Sequence, residues 1–157
     1  MQQSEVFPAI DARPGTSCPH TILIVDDDEG HAILIRENLE AAGLTNRIQH
    51  FPDGQAILDF FFARRPPGAD TFLVLLDIRM PKVDGIQVLR QLKADPDLRT
   101  LPVIMLTTTD DIREVERCYQ LGCNGYIQKP VDYEKFAEAI RRIGIFVPIL
   151  LVPQRNR

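Results

Sequence analysis

Short apolar runs alternate with longer amphipathic segments along most of the chain. An apolar run bounded by turn-forming residues is typical of a strand that is covered on both faces of a parallel sheet. The sequence predicts five such strands, TILIV at 21–25, RIQHF at 47–51, FLVLL at 72–76, LPVIMLT at 101–107 and GYIQ at 125–128. It predicts amphipathic helices after each of them, at 29–43, 53–65, 84–94, 110–122 and 132–144.

Capping residues support these limits. Gly43 and Gly122 follow the first and fourth helical patterns, and glycine is the common residue just beyond a helix end. Asp110 or Asp111 stands where the fourth helix needs an N-cap. Because strands that alternate with helices are joined by right-handed crossovers, the sequence predicts an α/β protein with a doubly wound five-stranded parallel sheet.

The two ends of the chain lack this alternation. Residues 1–20 are rich in proline and polar residues without a period, and we expect a flexible tail there. The folded domain is predicted at 21–147, followed by an apolar C-terminal tail at 148–157. Since an apolar tail should not stay in water, it either folds back or packs on a second copy. We expect a homodimer through the last helix and this tail.

Composition limits the binding partners and the cellular compartment that we expect for this protein. The chain has 157 residues with a net charge of −4, which gives no basic surface for nucleic acid. The longest apolar stretch, IGIFVPILLV, is shorter than the roughly 20 residues that span a bilayer. Three cysteines without metal-ligand spacing suit a reducing compartment, and Cys118 and Cys123 are expected to be packing residues near a helix end. With no signal peptide pattern, we expect a cytoplasmic protein.

Polar residues follow four of the five predicted strands. Asp26, Asp27 and Asp28 follow the first, Asp77 follows the third, Thr107 ends the fourth and Lys129 follows the fifth. In a sheet ordered 2-1-3-4-5, the first and third strands are neighbours at the point where binding crevices form. The aspartates should therefore converge, and their hard oxygen ligands suit Mg²⁺.

A carboxylate surrounded by other carboxylates, a divalent cation, a lysine and a hydroxyl is the chemistry of a phosphoryl-transfer site. Asp77 can act as the nucleophile, because aspartyl-phosphate is an established covalent species. Lys129 offers a fixed positive charge, and Thr107 offers a hydroxyl donor. The sequence thus favours Asp77 as a phosphoacceptor over a capping or purely structural role. Asp28 is expected to be the capping or solvated member of the run.

The motifs ILIVDDDEG, VLLDIRMPKVDG, PVIMLTT and GYIQKP stand in this order at the predicted strand ends. Together they resemble the motif set of two-component response-regulator receiver domains, over residues 21–146. The resemblance implies the flavodoxin-like strand order 2-1-3-4-5. It also implies that Asp77 accepts a phosphoryl group from a sensor histidine kinase.

Roles for the surrounding residues follow from the same resemblance. It places Mg²⁺ on Asp27, Asp77 and the backbone carbonyl of Arg79, with Asp26 holding the ion through water. Thr107 and Lys129 are implied to contact the phosphoryl oxygens. Tyr126 is implied to be an aromatic switch that turns inward with Thr107.

Longer segments resemble a narrower group. NLEAAGLTNRI, LKADPDLRTLPVIMLTTTD and QLGCNGYIQKPVDYEKFAEAIRRIGIF are similar to single-domain regulators paired with phytochrome-type histidine kinases. A bacteriophytochrome partner and a role in light signalling follow as expectations. Ile33 lies opposite the apolar stripe of its predicted helix, and we expect it to be exposed and able to contact the kinase.

Two other functions fit an acidic pocket of this kind. One is a Mg²⁺-dependent hydrolase with an aspartyl-phosphate intermediate, like the haloacid-dehalogenase-like phosphatases. Those enzymes carry an acid two residues after the nucleophile and a substrate cap, whereas this chain has Arg79 and no cap insertion. The other is a pseudo-receiver that only binds partners, which the complete pocket disfavours. We therefore expect a phosphoacceptor switch with slow self-dephosphorylation, and no turnover enzyme.

Overall fold

The computed structural model describes residues 21–41, 43–67, 71–108 and 110–128, together with Glu134 and Glu138. Five strands form one parallel sheet: β1 Thr21–Val25, β2 Ile48–Phe51, β3 Phe72–Leu76, β4 Val103–Thr107 and β5 Gly125–Gln128. Four α-helices are described between them: α1 Glu29–Ala41, α2 Gly54–Leu58, α3 Gly85–Ala94 and α4 Ile112–Leu121. The strand order is β2-β1-β3-β4-β5, which confirms the predicted fold class.

The sheet separates two buried apolar clusters. Leu23 and Val25 of β1 face the larger cluster with α2, α3 and α4, while Ile22 and Ile24 face the smaller one with α1. Successive strand residues point to opposite faces, so a strand covered on both faces must be apolar throughout. This explains the uninterrupted apolar runs of the sequence. On the opposite side of α1 from its buried stripe, Ile33 is 49% exposed, as expected.

The predicted caps are found where helices begin and end. Asp111 accepts a hydrogen bond from the Arg113 amide at 2.9 Å and is the N-cap of α4. Gly122 closes α4 with φ of 106°, a left-handed conformation that glycine adopts without strain. Asp84 and Gln87 form a reciprocal capping box at the start of α3. These contacts set the direction in which α3 and α4 leave the carboxyl edge of the sheet.

Two strands are shorter than predicted. β4 begins at Val103 because Pro102 has no backbone N–H to donate, although its carbonyl still accepts from the Val74 amide at 3.0 Å. β2 begins at Ile48, and the carbonyl of Arg47 just before it accepts from the Ile22 amide at 2.8 Å. Both differences lie at the amino ends of the strands, away from the aspartates.

The second predicted helix changes form along its length. The α-helix ends at Leu58 and continues as a π-helix at Asp59–Ala63. In this wider turn the rings of two consecutive residues, Phe60 and Phe61, both meet Phe72 edge-on, with centroid separations of 5.6 and 5.7 Å. The sequence predicted one uniform helix at 53–65. Three consecutive phenylalanines do not fit one face of a regular α-helix, and the π-helix accommodates them.

The N-terminal tail, the last helix and the C-terminal tail lie outside the described residues, apart from Glu134 and Glu138 in helical conformation. The domain limits and the homodimer interface therefore stay predictions.

Candidate functional site

The sheet register brings the ends of β1 and β3 side by side. Val25 pairs with Leu76, so Asp26 and Asp77 follow at the same level of the sheet. The Asp77 amide donates to the Val25 carbonyl at 3.0 Å and fixes this alignment. One carboxylate oxygen from each of Asp26, Asp27 and Asp77 lies within 4.8 Å of the others. The convergence predicted from the strand order is confirmed.

These three carboxylates differ in their access to water. Asp26 is 1% and Asp77 is 7% exposed, whereas Asp27 is on the surface. Carboxylates crowded in a poorly hydrated pocket repel one another unless a cation neutralises them. The donor set consists only of hard oxygens, with one member open to solvent, and this combination fits a Mg²⁺ or Mn²⁺ ion that retains water ligands.

Backbone contacts hold Asp26 in place. Its Oδ1 accepts from the Asp28 amide at 2.9 Å, and its own amide donates to the Phe51 carbonyl at 3.1 Å. Nε2 of His50 donates to the Asp26 carbonyl oxygen at 2.8 Å. The end of β1 is thus tied both to the turn that follows it and to β2.

Asp28 was predicted to be either a helix cap or a solvated residue, and the structure shows that it caps α1 while remaining exposed. Its Oδ1 accepts from the His31 amide at 3.1 Å at the first turn of α1. The same geometry brings Nδ1 of His31 to 3.7 Å from Asp28 Oδ2 and 4.0 Å from Asp26 Oδ2. The positions of His31 and His50 beside Asp26 were not predicted, because they depend on the register of β2 and on the first turn of α1.

The loop after β3 carries Arg79, whose carbonyl is an expected metal ligand. This loop is compact, since the Gly85 amide donates back to the Ile78 carbonyl at 2.9 Å. A β-carbon added at Gly85 would overlap the carbonyl oxygen of Asp77, so only glycine allows α3 to start this close to the end of β3. The metal-ligand role of the Arg79 carbonyl stays a prediction.

The Arg79 side chain makes a contact that the sequence did not predict. Its Nη2 lies 3.0 Å from Oε1 of Glu114 on α4, 35 residues further along the chain. No sequence signal marks Glu114, because a glutamate in the first turn of a helix is common for electrostatic reasons alone.

The remaining predicted residues lie at the ends of β4 and β5. Thr107 is the last residue of β4 and pairs with Gln128, the last residue of β5. Lys129, the next residue in the sequence, lies outside the described residues. The contacts expected of the Thr107 hydroxyl and of Lys129 lie outside the described part of the chain.

Tyr126 is half-buried in β5, beside the larger apolar cluster. Burial is the main cause that raises the pKa of Tyr126 to about 12. The neighbouring Cys118 and Glu114 act in the same direction, whereas the positive charge of Arg79 acts in the opposite one. The phenol therefore shares its surroundings with the Arg79–Glu114 ion pair.

A doubly wound sheet with an acidic cluster at the switch between β1 and β3 defines a class of signalling domain. Residues 22–141 match the response regulator receiver domain family, and the chain belongs to that family. Receiver domains are generally phosphoacceptor switches rather than turnover enzymes.

Individual relatives agree with this membership. The polar-differentiation response regulator DivK of Brucella anthropi is 37% identical over 124 residues, which are 78% of this chain and 94% of DivK. The crystal structure of a response regulator receiver domain from Rhodospirillum rubrum is 45% identical with a TM-score of 0.80, and it covers 87% of this chain and 99% of that one.

Two further structures share the fold, one of a metal-bound and one of a phosphorylated response regulator. The Mn²⁺-bound form of response regulator Rcp1 is 30% identical, with a TM-score of 0.74 over 82% of this chain and 94% of Rcp1. The phosphorylated cyanobacterial phytochrome response regulator RcpA is 27% identical, with a TM-score of 0.73 over the same shares of the two chains. The resemblance to phytochrome-associated regulators is thus confirmed.

Among the described residues, no helix is both long and apolar enough to cross a bilayer.

Proposed function

We propose that this protein accepts a phosphoryl group on Asp77 from a partner histidine kinase and thereby switches a protein-interaction surface. The observation that carries the proposal is the cluster of Asp26, Asp27 and Asp77, whose oxygens lie within 4.8 Å at the carboxyl edge of β1 and β3. Family membership supports the phosphoacceptor role in general.

In the proposed transfer, a carboxylate oxygen of Asp77 attacks the phosphorus of a kinase phosphohistidine. The new O–P bond forms as the P–N bond breaks, and the bonding electron pair returns to the imidazole nitrogen. Asp27, Asp77 and the Arg79 carbonyl would bind Mg²⁺ directly, and Asp26 would hold it through water. A bound Mg²⁺ would neutralise the charge on the phosphoryl oxygens. The Mn²⁺-bound form of Rcp1 supports a divalent ion in this family.

The switch would extend from the site along the sheet edge. Thr107 and Lys129 would contact the phosphoryl oxygens, and Tyr126 would turn inward as Thr107 is drawn to the site. This movement would change the surface formed by α4 and β5. Phosphorylation would thus act as a local charge change that shifts the balance between two conformations.

The proposed setting is a cytoplasmic two-component pathway. The likeness to the phytochrome regulator RcpA favours a bacteriophytochrome as the kinase and light as the signal. Ile33, exposed on α1, is the docking contact that we propose for the kinase. We further propose that the protein acts as a homodimer through its last helix and C-terminal tail, without binding nucleic acid or membrane.

The test is incubation of the purified chain with Mg²⁺ and a small phosphodonor, and separately with radiolabelled kinase. A stable acyl-phosphate should form on the parent and on Asp97→Asn, a surface control, but not on Asp77→Asn. Rapid multiple turnover of the donor would instead indicate the hydrolase, and no labelling would indicate the pseudo-receiver. Equal labelling of Asp77→Asn would refute the proposal.

A further inference from the structure

An ion pair joins the loop after β3 to helix α4. Nη2 of Arg79 and Oε1 of Glu114 are 3.0 Å apart, and the side chains are 59% and 23% exposed, respectively. Arg79 is the second residue after Asp77, and Glu114 is the third residue of α4. The ion pair therefore connects the loop that follows Asp77 with helix α4.

The charges of the pair also act on Tyr126. Glu114 and Arg79 both influence the pKa of this phenol, in opposite directions. Arg79 also contributes to lowering the pKa of Asp111, the N-cap of α4, although the Arg113 amide is the main cause. The guanidinium is therefore part of the electrostatic environment both of the start of α4 and of the aromatic residue on β5.

We propose that Glu114 is a positioning residue that holds the Arg79 guanidinium against α4 until a phosphoryl group on Asp77 draws it away. This inference rests on the proposed phosphorylation of Asp77. In the resting protein the ion pair ties α4 to the loop, and in the phosphorylated protein Arg79 turns to the phosphoryl oxygens and leaves α4 without this tie.

Charge and geometry favour such an exchange. A phosphoryl group carries a charge of about −1.5 to −2 and several acceptor oxygens, whereas Glu114 carries a single negative charge. The planar guanidinium can bind phosphoryl oxygens through two parallel hydrogen bonds. A partly exposed ion pair is weak, so little free energy opposes its release. The backbone of Arg79 belongs to the loop that follows Asp77, so we expect rotation of its side chain to suffice for the change of partner.

Linkage makes the exchange measurable. If phosphorylation weakens the Arg79–Glu114 pair, then the pair must weaken binding of a phosphoryl group by the same factor. Removal of the Glu114 charge should therefore strengthen phosphoryl binding and should loosen α4 even without phosphate. An ion pair that is not coupled to the site would do neither.

The chain contains a matched control. Arg65 and Asp95 form a second ion pair, also with a separation of 3.0 Å and with exposed fractions of 49% and 11%. It joins the segment after the π-helix to the end of α3 and contains no residue next to Asp77. Asp95→Asn thus removes a comparable surface charge away from the proposed route.

The first experiment uses Glu114→Gln, Asp95→Asn and the parent. Affinity for beryllium trifluoride, a non-covalent phosphoryl mimic, is measured by calorimetry in the presence of Mg²⁺. Glu114→Gln should bind it about two- to five-fold more tightly than the parent, the range expected for loss of an exposed ion pair, and Asp95→Asn should match the parent. Equal affinity of Glu114→Gln and the parent would overturn the inference.

Amide hydrogen exchange gives a second readout on the same proteins. In the parent, the first turn of α4 should exchange faster after beryllium trifluoride binds. In Glu114→Gln it should already exchange fast without the mimic, while the sheet amides stay protected and show that the variant is folded. Unchanged protection of α4 in both states would contradict the release of the helix.

A charge-reversed double variant, which combines Arg79→Glu with Glu114→Arg, separates the exchange from simple pairing. It can restore an ion pair and hence the resting protection of α4, but the carboxylate introduced at position 79 would repel the phosphoryl group. We expect normal protection of α4 without the mimic and no release with it. Full restoration of both properties would assign the pair a structural role only.

The outcomes also distinguish failure of the two proposals. If the parent neither forms an acyl-phosphate nor binds beryllium trifluoride, both proposals fail. If the parent does both, and Glu114→Gln matches it in affinity and exchange, only the role of Glu114 fails.

Discussion

Two carboxylates in the site, Asp26 and Asp77, lie almost completely out of water, and the third, Asp27, reaches the surface. At the residue scale, the three consecutive aspartates after β1, at 26–28, therefore have different surroundings and different roles. Asp28 is occupied as a helix cap through the His31 amide, whereas Asp27 presents its oxygen to the shared cluster. Neighbouring residues of one type thus have different tasks because successive side chains leave the strand end in different directions.

Asp27→Asn should weaken Mg²⁺ binding about ten-fold or more, because it removes a full negative charge and an anionic ligand from the cluster. Asp28→Asn is the control, since asparagine also caps helices and the residue lies outside the three-carboxylate group. Calorimetric titration with Mg²⁺ measures both. Equal loss of affinity in the two variants would show that only the total charge matters.

Cys118 illustrates how burial controls reactivity at the same scale. Burial is the main cause that raises its pKa to about 11, so at pH 8 only roughly one thiol in a thousand is ionised, compared with about one in ten for a thiol of pKa 9. Alkylation by iodoacetamide, followed by mass spectrometry, should be at least about 100-fold slower at Cys118 than at Cys18, and should accelerate as the pH rises toward 11. Similar rates at the two cysteines would contradict the burial.

The raised pKa of Cys118 also makes the stability of the folded protein depend on pH. The folded protein holds the Cys118 proton more tightly than the unfolded chain, because the pKa of this thiol is higher in the folded state. The thiol therefore lowers the free energy of unfolding as the pH rises from about 9 to about 11.

At the scale of elements, the site depends on how closely α3 approaches the end of β3. Gly85 begins α3, and its amide is bonded to the Ile78 carbonyl one residue beyond Asp77. The capping box of Asp84 and Gln87 then fixes the helix direction. The loop between them, which carries Arg79, is therefore held at both ends.

Gly85→Ala should lower the free energy of unfolding by about 1–3 kcal/mol, because the added β-carbon would overlap backbone atoms of Asp77 and Ile78 that cannot move separately. It should also weaken Mg²⁺ binding by displacing Asp77. Gly30→Ala is the matched control, since its β-carbon would meet a side-chain oxygen, Oδ1 of Asp28, at 3.2 Å rather than backbone atoms of a neighbouring element, and alanine favours a helix by up to about 1 kcal/mol. Urea unfolding and metal titration of both variants test this, and equal stabilities would contradict the close approach.

At the scale of the whole molecule, the two ends of the strands differ in the residues that they carry. β2 and β4 are shorter than predicted at their amino ends. The aspartates and Thr107 lie at the carboxyl ends of the strands. Crossovers between parallel strands place all carboxyl ends at one edge, and for this reason residues far apart in sequence can meet at one site.

Truncation after Gly144 should raise the monomer fraction in sedimentation velocity, because it removes the apolar tail predicted to form part of the dimer. Deletion of residues 1–20 should leave the monomer fraction unchanged, since that segment has no apolar pattern with which to associate. A monomer fraction equal to that of the full chain in the first variant would refute the role of the tail.

The sequence by itself determined the element order and most of the chemistry. Uninterrupted apolar strands such as Phe72–Leu76, together with the caps at Asp111 and Gly122, sufficed to predict the alternation of strands and helices, because these signals are local. The acid at the end of β3 was recognisable for the same reason. A polar residue directly after a buried strand stands out in the sequence whatever its neighbours are.

Only the tertiary structure decided which residues meet. The pairing of Val25 with Leu76 sets Asp26 level with Asp77, and the path of α4 brings Glu114 to Arg79, 35 residues away. In the π-helix, Phe60 and Phe61 likewise pack against a distant residue, Phe72 of β3. Contacts of this kind arise from register and from packing between distant elements, and a linear pattern of polar and apolar residues does not encode either one directly.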